Sequence, residues 1–224
     1  MLRRLCLLGI QCLDLIHSFR FCLRCFGWRG AMRLPINVSH RIRLGSLPRG
    51  SVIIEGSMRR SMVYIGHQGF SAIGETAGLI HIEPGGHLVF RGTARFGQGI
   101  RLWVDQGATL VIGDNFYCNK NCLLRAHDDI TTGRDILCGW NVSVNTADGH
   151  IIYEDGIPKT SHGPIVFGNH IWIASHVIVG KGVVLSDDTV VAQCSTVTGV
   201  FRETNVLIGG TPARVLKNGI EWRE

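Results

Sequence analysis

"FGNHIWIASHVIVGKGVVLSDDTVVAQCSTVT", Phe167 to Thr198, counts in sixes. Stepping from Phe167 gives Ile173, Val179, Leu185, Val191 and Val197, an apolar column, and the residue after each step is small: Gly168, Ala174, Gly180, Ser186, Ala192 and Thr198. Upstream the same step gives Ile112, Cys118, Leu124, Ile130, Ile136 and Val142, and a looser version reaches back through Ile100, Ala94, Leu88 and Ile82. A helix repeats every 3.6 residues and a strand every 2, so a strict six with one large apolar and one small residue implies short strands joined by recurring corners. No such strand buries its inward face alone. Coils stacked about 4.8 Å apart do, and the chain reads as an all-β solenoid.

Three segments follow: an N-terminal helical segment and linker over 1–45, the solenoid over 46–205 with roughly eight coils, and a closing segment over 206–224. In "MLRRLCLLGIQCLDLIHSFRFCLRCF" the residues Arg3, Asp14, His17, Arg20 and Arg24 fall in one narrow polar wedge at 100° per residue, with apolar residues around the rest. The longest stretch free of charge, Leu5 to Leu13, is about half of the roughly 20 residues a membrane span requires. The reading leaves a helix on a membrane surface, with peripheral contact through residues 1–28, or one packed on the repeats or a neighbouring subunit. Either way the segment serves location or assembly rather than chemistry.

The net charge of +6 and its surplus of terminal arginines suit a membrane surface, a polyanionic ligand or plain solubility. Nucleic acid is disfavoured, because no basic run is interleaved with aromatics. Eight cysteines without a disulfide-like framework fit a reduced, cytoplasmic chain. Cys22 and Cys25 form a CxxC that lacks a second pair at zinc-ligand spacing, so no metal site is expected.

From Val142 to Phe167 is 25 residues, one more than four hexapeptides, so the chain leaves the coil between about Gly149 and Gly163 and returns out of phase. Loops inserted at solenoid corners usually lie on the functional face. His150 stands at the foot of this one, two residues after Asp148.

The hexapeptide pattern together with "IGDNFYCNKN", "NTADGHI", "GPIVFGNHIWIASHVIVGKGV" and "IGGTPARVL" resembles the hexapeptide acetyltransferases, whose fold is a left-handed parallel β-helix. The galactoside and maltose O-acetyltransferases and polysaccharide-modifying relatives are the nearest in pattern, over about residues 110–217. The resemblance implies acetyl-coenzyme A as donor, a sugar hydroxyl as acceptor, a glycan destined for the cell surface, and a homotrimer with sites between subunits. N-acetylation of an amino sugar or of an antibiotic is the alternative within the enzyme class, and a non-catalytic β-helix scaffold the alternative outside it.

Carried over residue by residue, the resemblance makes His150 the general base. The chemistry fits, because an imidazole is available as a neutral base near pH 7. Asp148, on the same face of an extended segment, would orient the ring or an acceptor hydroxyl, or else cap a turn. The Ser175 backbone N–H would meet the thioester oxygen, and Gln193, eighteen residues on, would extend the cofactor column. Thr198 continues that match, and Arg214 in "TPAR" stands where the family holds phosphate, assisted by Lys217. Gly199 replaces a lysine common in the family, which shifts phosphate binding onto Arg202 or Arg214. Arg214 could instead be an ordinary surface residue of the closing segment. Asn119 matches a sugar-binding asparagine, although ladder and turn roles suit it equally. Trp172 either packs the corner or touches ligand, and His127, Asp128 and Asp129 are further candidates for the cleft.

Overall fold

A computed structural model of the chain describes residues 2–67, 69–70, 73–74 and 76–223, with side chains described from residue 10 onward. Short strands stack in parallel into three sheets, and each sheet forms one face of a triangular left-handed prism. Face one holds Ile36–Val38, Val63–Ile65, Ala94–Phe96, Phe116–Cys118, Ile136–Cys138, Ile171–Ile173, Thr189–Val191 and Val206–Gly210, then an antiparallel return strand, Ala213–Asn218. Face two runs from Ile42–Leu44 to Thr196–Val197 and face three from Val52–Ile54 to Val200–Phe201, seven strands each. The solenoid therefore begins earlier than residue 46. Ile36–Val38 and Ile42–Leu44 are already paired to the next coil.

The alternation that makes each strand is visible in its burial. Ile171 and Ile173 are enclosed while Trp172 between them faces out, and Ile136 and Cys138 flank Leu137 in the same way. Stacked inward columns such as Phe96, Cys118, Cys138, Ile173, Val191 and Ile208 form one continuous core, because hydrogen bonds between coils satisfy the backbone and leave the interior apolar.

Coil length is not constant. Trp172 pairs with Val190 and Val179 with Val197, both 18 residues apart, but Phe116 pairs with Ile136 at 20 and Ala94 with Phe116 at 22. The upstream count in sixes is thus not one register. Leu124 is followed by Thr132, not Ile130, as the residue in phase with Phe167. The count survives because each strand has two inward positions, two residues apart, and a coil that gains two residues slides the six-step from one onto the other.

These extra residues gather at the edge between faces two and three. Asp105–Ala108 and His127–Asp129 widen it, and above them the chain leaves altogether after Ser143–Asn145 and returns at Ile165–Phe167. The excursion carries a small hairpin, Tyr153–Glu154 with Ile157–Pro158. A second excursion, residues 66–77, leaves at the edge between faces one and two.

The N-terminal helix, Leu2–Arg33, caps the open end of the prism, with a kink at Gly27 (φ 69°). Three members of its polar wedge reach the coil. The His40 N–H donates to Asp14 Oδ1 (2.7 Å), His17 Nε2 lies 2.9 Å from the Ile42 carbonyl, and Arg24 Nε donates to the Leu47 carbonyl (3.0 Å). Arg20, of the same wedge, is exposed instead, and Arg3 has its side chain outside the described residues. Phe21, Cys22, Cys25 and Ala31 close the core beneath the helix, so the CxxC thiols are buried filler, and burial raises Cys22 to about 11 and Cys25 to about 12. Solenoids need such caps because a terminal coil otherwise exposes its inward faces. Phe21→Ala should therefore cost about 3–5 kcal/mol, the usual loss for a buried phenylalanine, read as a lower urea midpoint. A midpoint equal to the parent's would mean that the helix does not seal the end.

Candidate active site

On the edge between faces one and two, successive coils bring together Asn119, Trp140, Ala174, Ser175 and Gln193, and with Tyr117 and Trp172 from the outer surface of face one they line a groove of about 280 Å³. The corner turns here through left-handed residues, Asn121, Asn141, His176 and Cys194 (φ 56–61°), which gives Asn121 a turn role. Asn119 is committed in part: its Oδ1 accepts the N–H of Lys120 (2.8 Å) and of Phe70 (2.9 Å). The Phe70 ring stacks on Trp140 at 5.1 Å and so backs one of the residues that line the groove.

Ser175 is 6% exposed. Its Oγ accepts the Trp140 N–H (3.3 Å), the neighbouring N–H groups of Ala174 and His176 are bonded to Val191 and Trp140 carbonyls, and the Ser175 N–H itself has no partner among the described residues. An enclosed backbone donor without an acceptor is costly unless something supplies one. Gly139 stands directly below, where a Cβ would come within 2.6 Å of that nitrogen. Further along the same edge, Gly209 stacks on Ala192 and pairs with Arg214 on the return strand. Arg214 is exposed, with its Nη1 on the adjacent Ala213 carbonyl, and Lys217 sits three residues on, opposite Leu207. Ser175, Gln193 and Arg214 thus rise along one edge. Thr198 and Gly199 do not; they follow Thr196–Val197 and lie on the edge between faces two and three.

That second edge carries the excursion and His150. Its neck is tied on both sides. Thr146 Oγ1 accepts the N–H of His127 (2.8 Å) and Asp128 (2.9 Å), the Asp128 carboxylate meets His162 Nδ1 (3.0 Å), and the Asp148 N–H donates to the Ser161 carbonyl (2.8 Å). Lys181, from the next coil, bridges the Asp148 carboxylate and the Thr160 carbonyl. Asp148 gives a carboxylate oxygen to Lys181, and no hydrogen bond joins it to His150 among the described residues. The hydrogen bond from His162 is the main influence that lowers Asp128 below its ordinary value. Asp105, one coil earlier, would be raised by burial, but hydrogen bonds from His127 and Trp103 and the nearby Arg125 bring it below the usual carboxylate value. His150 is exposed and has no hydrogen-bond partner among the described residues, and beyond it Ile151, Ile152, Tyr153 and Ile157 are each more than half exposed.

Sequence reading missed Phe70, Trp140, Lys181 and His162. Each acts across coils of unequal length, and fixed spacing carries no trace of them.

Known proteins resemble the chain in sequence and in fold. The chain is 32% identical to the galactoside O-acetyltransferase of Escherichia coli K12 over 128 residues, 53% of this chain and 62% of that protein. It is 26% identical over 148 residues to WbbJ of the same organism, provisionally named a lipopolysaccharide biosynthesis O-acetyl transferase, covering 61% of this chain and 74% of WbbJ. This is a hexapeptide-repeat β-helix with acetyltransferase relatives. The crystal structure of NeuO, a polySia-specific acetyltransferase, superposes with a TM-score of 0.59 over 84% of this chain and 73% of that one at 17% identity, which shows the hexapeptide-repeat fold in common. No protein-family model matches the chain. The chain spans about three fifths of the length of the galactoside enzyme it matches.

Proposed function

We propose that the protein is an acetyl-coenzyme A dependent O-acetyltransferase that acylates a sugar hydroxyl of a cell-surface glycan, and that it works as a homotrimer. One observation carries this reading. The Ser175 N–H and His150, both without a hydrogen-bond partner among the described residues, lie on the two edges that flank face two, one side of the prism apart, which suits a site completed by a neighbouring chain. Three prisms packed with face two toward a common axis would set the His150 edge of each chain against the Ser175 edge of the next. The exposed apolar residues of the excursion would then be covered by that neighbour.

The donor brings an acetyl group activated as a thioester. The groove suits it: narrow, largely apolar, with a free N–H at one end and Arg214 toward the other. His150 would take the proton from the acceptor hydroxyl as its oxygen attacks, and return it to the departing sulfur. The Ser175 N–H would donate to the negative charge developing on the thioester oxygen. Gln193 and Trp172 would line the donor arm, and Thr198 and Gly199 of the facing edge would close it. Asn119, whose amide nitrogen lacks a partner among the described residues, would meet the acceptor, and Asp148 would hold the neck through Lys181. The names of the galactoside enzyme and WbbJ support a sugar acceptor.

The test is thiol release from acetyl-coenzyme A over a panel of sugars, amino sugars and oligosaccharides. Release with hydroxyl acceptors alone supports the reading; release only with amino sugars overturns O-transfer, and none with any acceptor overturns the enzyme. Within the same assay, Arg214→Ala should raise the apparent constant for acetyl-coenzyme A roughly tenfold or more and leave turnover nearly unchanged, because a remote phosphate contact acts alike in ground and transition states. The variant should no longer distinguish the donor from its dephospho form. If it still does, the phosphate lies elsewhere.

A further inference from the structure

The cap helix turns Asp14 and His17 onto the first coil, and its outer surface combines large apolar side chains with exposed arginines. Leu13 (52% exposed), Ile16 (56%) and Leu23 follow one another at helical spacing on the outer face, and beyond the Gly27 kink Trp28 (65%) and Met32 (64%) continue the exposure. With Leu15 (52%) beside them, six large apolar side chains stand in water on one element, which is unusual for an isolated surface and calls for a cover. The charge around them is one-sided. Exposed Arg20, Arg24, Arg29 and Arg33 lie on the same helix, and Arg20, Arg24 and Arg43 rim a groove of about 600 Å³ between the helix and the first strand of face two. The first 54 residues contain nine arginines and a single acid, Asp14, whereas the remaining 170 hold more acids than bases. Asp14 is itself turned onto His40. No helix among the described residues is long and apolar enough to cross a membrane.

We propose that the outer face of the N-terminal helix is a docking surface for an anionic lipid bilayer. Leu13, Ile16, Leu23, Trp28 and Met32 would enter the boundary between headgroups and acyl chains, and the arginines would hold the headgroup phosphates. Charge complementarity selects this occupant. A second copy of the chain would bring an identical arginine cluster against this one, and like charges brought together oppose association. An apolar face rimmed by cations is what an interfacial helix requires, and each arginine near an anionic surface strengthens partitioning roughly fivefold. The inference stands apart from the proposed chemistry, since no residue of either catalytic edge takes part.

The experiment is co-sedimentation of the full chain with vesicles of phosphatidylcholine alone or mixed with phosphatidylglycerol, at low and high salt. Point variants are preferred to deletion, because Phe21 and Cys22 seal the core from the same helix. The parent should bind the mixed vesicles at least tenfold better than the neutral ones, and salt should weaken it. Ile16→Glu with Leu23→Glu, and separately Arg20→Glu with Arg29→Glu, should each lower partitioning tenfold or more while the melting temperature and the particle mass stay at parental values. Arg134→Glu, an exposed arginine at a distant corner, should have no such effect. Equal binding to neutral vesicles, no binding at all, or an equal loss with Arg134→Glu would overturn the proposal. So would a fall in particle mass with the Ile16 and Leu23 pair, which would show that the stripe covers another copy.

Discussion

His150→Gln lowers turnover by about 10²–10⁴ and leaves the fold intact, if the imidazole removes the acceptor proton. The size follows from the chemistry: a sugar hydroxyl is a poor nucleophile near neutral pH, and an amide side chain of similar shape accepts no proton. The intact fold follows from the surroundings. His150 is exposed and makes no hydrogen bond among the described residues, so its replacement should change stability by no more than about 0.5 kcal/mol. The apparent constant for acetyl-coenzyme A should hold, because the donor groove lies on the other edge of the prism. Controls come from the neck. His162→Gln frees Asp128, and Lys181→Met frees Asp148, yet neither removes the base. Both should act mainly by loosening the loop, with smaller effects than His150→Gln. Exposed ion pairs of this kind are worth about 0–1 kcal/mol. A His150→Gln enzyme that turns over its acceptor at the parental rate would remove the base from this residue, and a larger loss in His162→Gln would move attention to the neck.

The prism was legible where coils are uniform and obscure where they are not. Between Phe167 and Val197 every side of the triangle takes six residues, so sequence period and spatial period coincide. Upstream the corner at His127–Asp129 adds two residues, and the six-step hides the slip because Ile130 and Thr132 both point inward. The excursion at His150 broke the count by an odd residue and could be seen. The one at 66–77 interrupts a looser stretch, where no firm count existed to break. For the helix, the wheel showed correctly that Asp14, His17 and Arg24 share a face, but a wheel does not say which face is buried. Here the first coil offers free backbone groups at His40, Ile42 and Leu47, and polar side chains turned inward satisfy them. The donor groove was read through Ser175 and Gln193, which stand a full 18-residue coil apart. Lys181 could not be read, because it reaches Asp148 across 33 residues that include the excursion.

Mixing two inactive chains should restore activity. One parent is His150→Gln, with an intact donor edge; the other is Ala174→Trp, whose groove is filled beside Ser175 while its His150 is untouched. Alone, each trimer has three dead sites, for in each every site lacks one half. In a mixed trimer, at least one contact pairs the intact donor edge of the first chain with the intact His150 edge of the second. Cyclic order places one such contact in every trimer of either composition, two to one or one to two, so each mixed trimer should recover about one third of the parental sites. The Ala174→Trp half calls for its own control, since a bulky side chain at a tight corner brings overpacking strain of about 1–3 kcal/mol. Its melting curve and particle mass establish that it folds and assembles before mixing. Recovery near one third, scaling with the fraction of tagged mixed trimers isolated, is the expected result. If His150 and Ser175 of one chain served the same site, neither parent could complement the other, and isolated mixed trimers would stay as inactive as the parents. That outcome would reject the shared site and, with it, the packing of face two around a common axis.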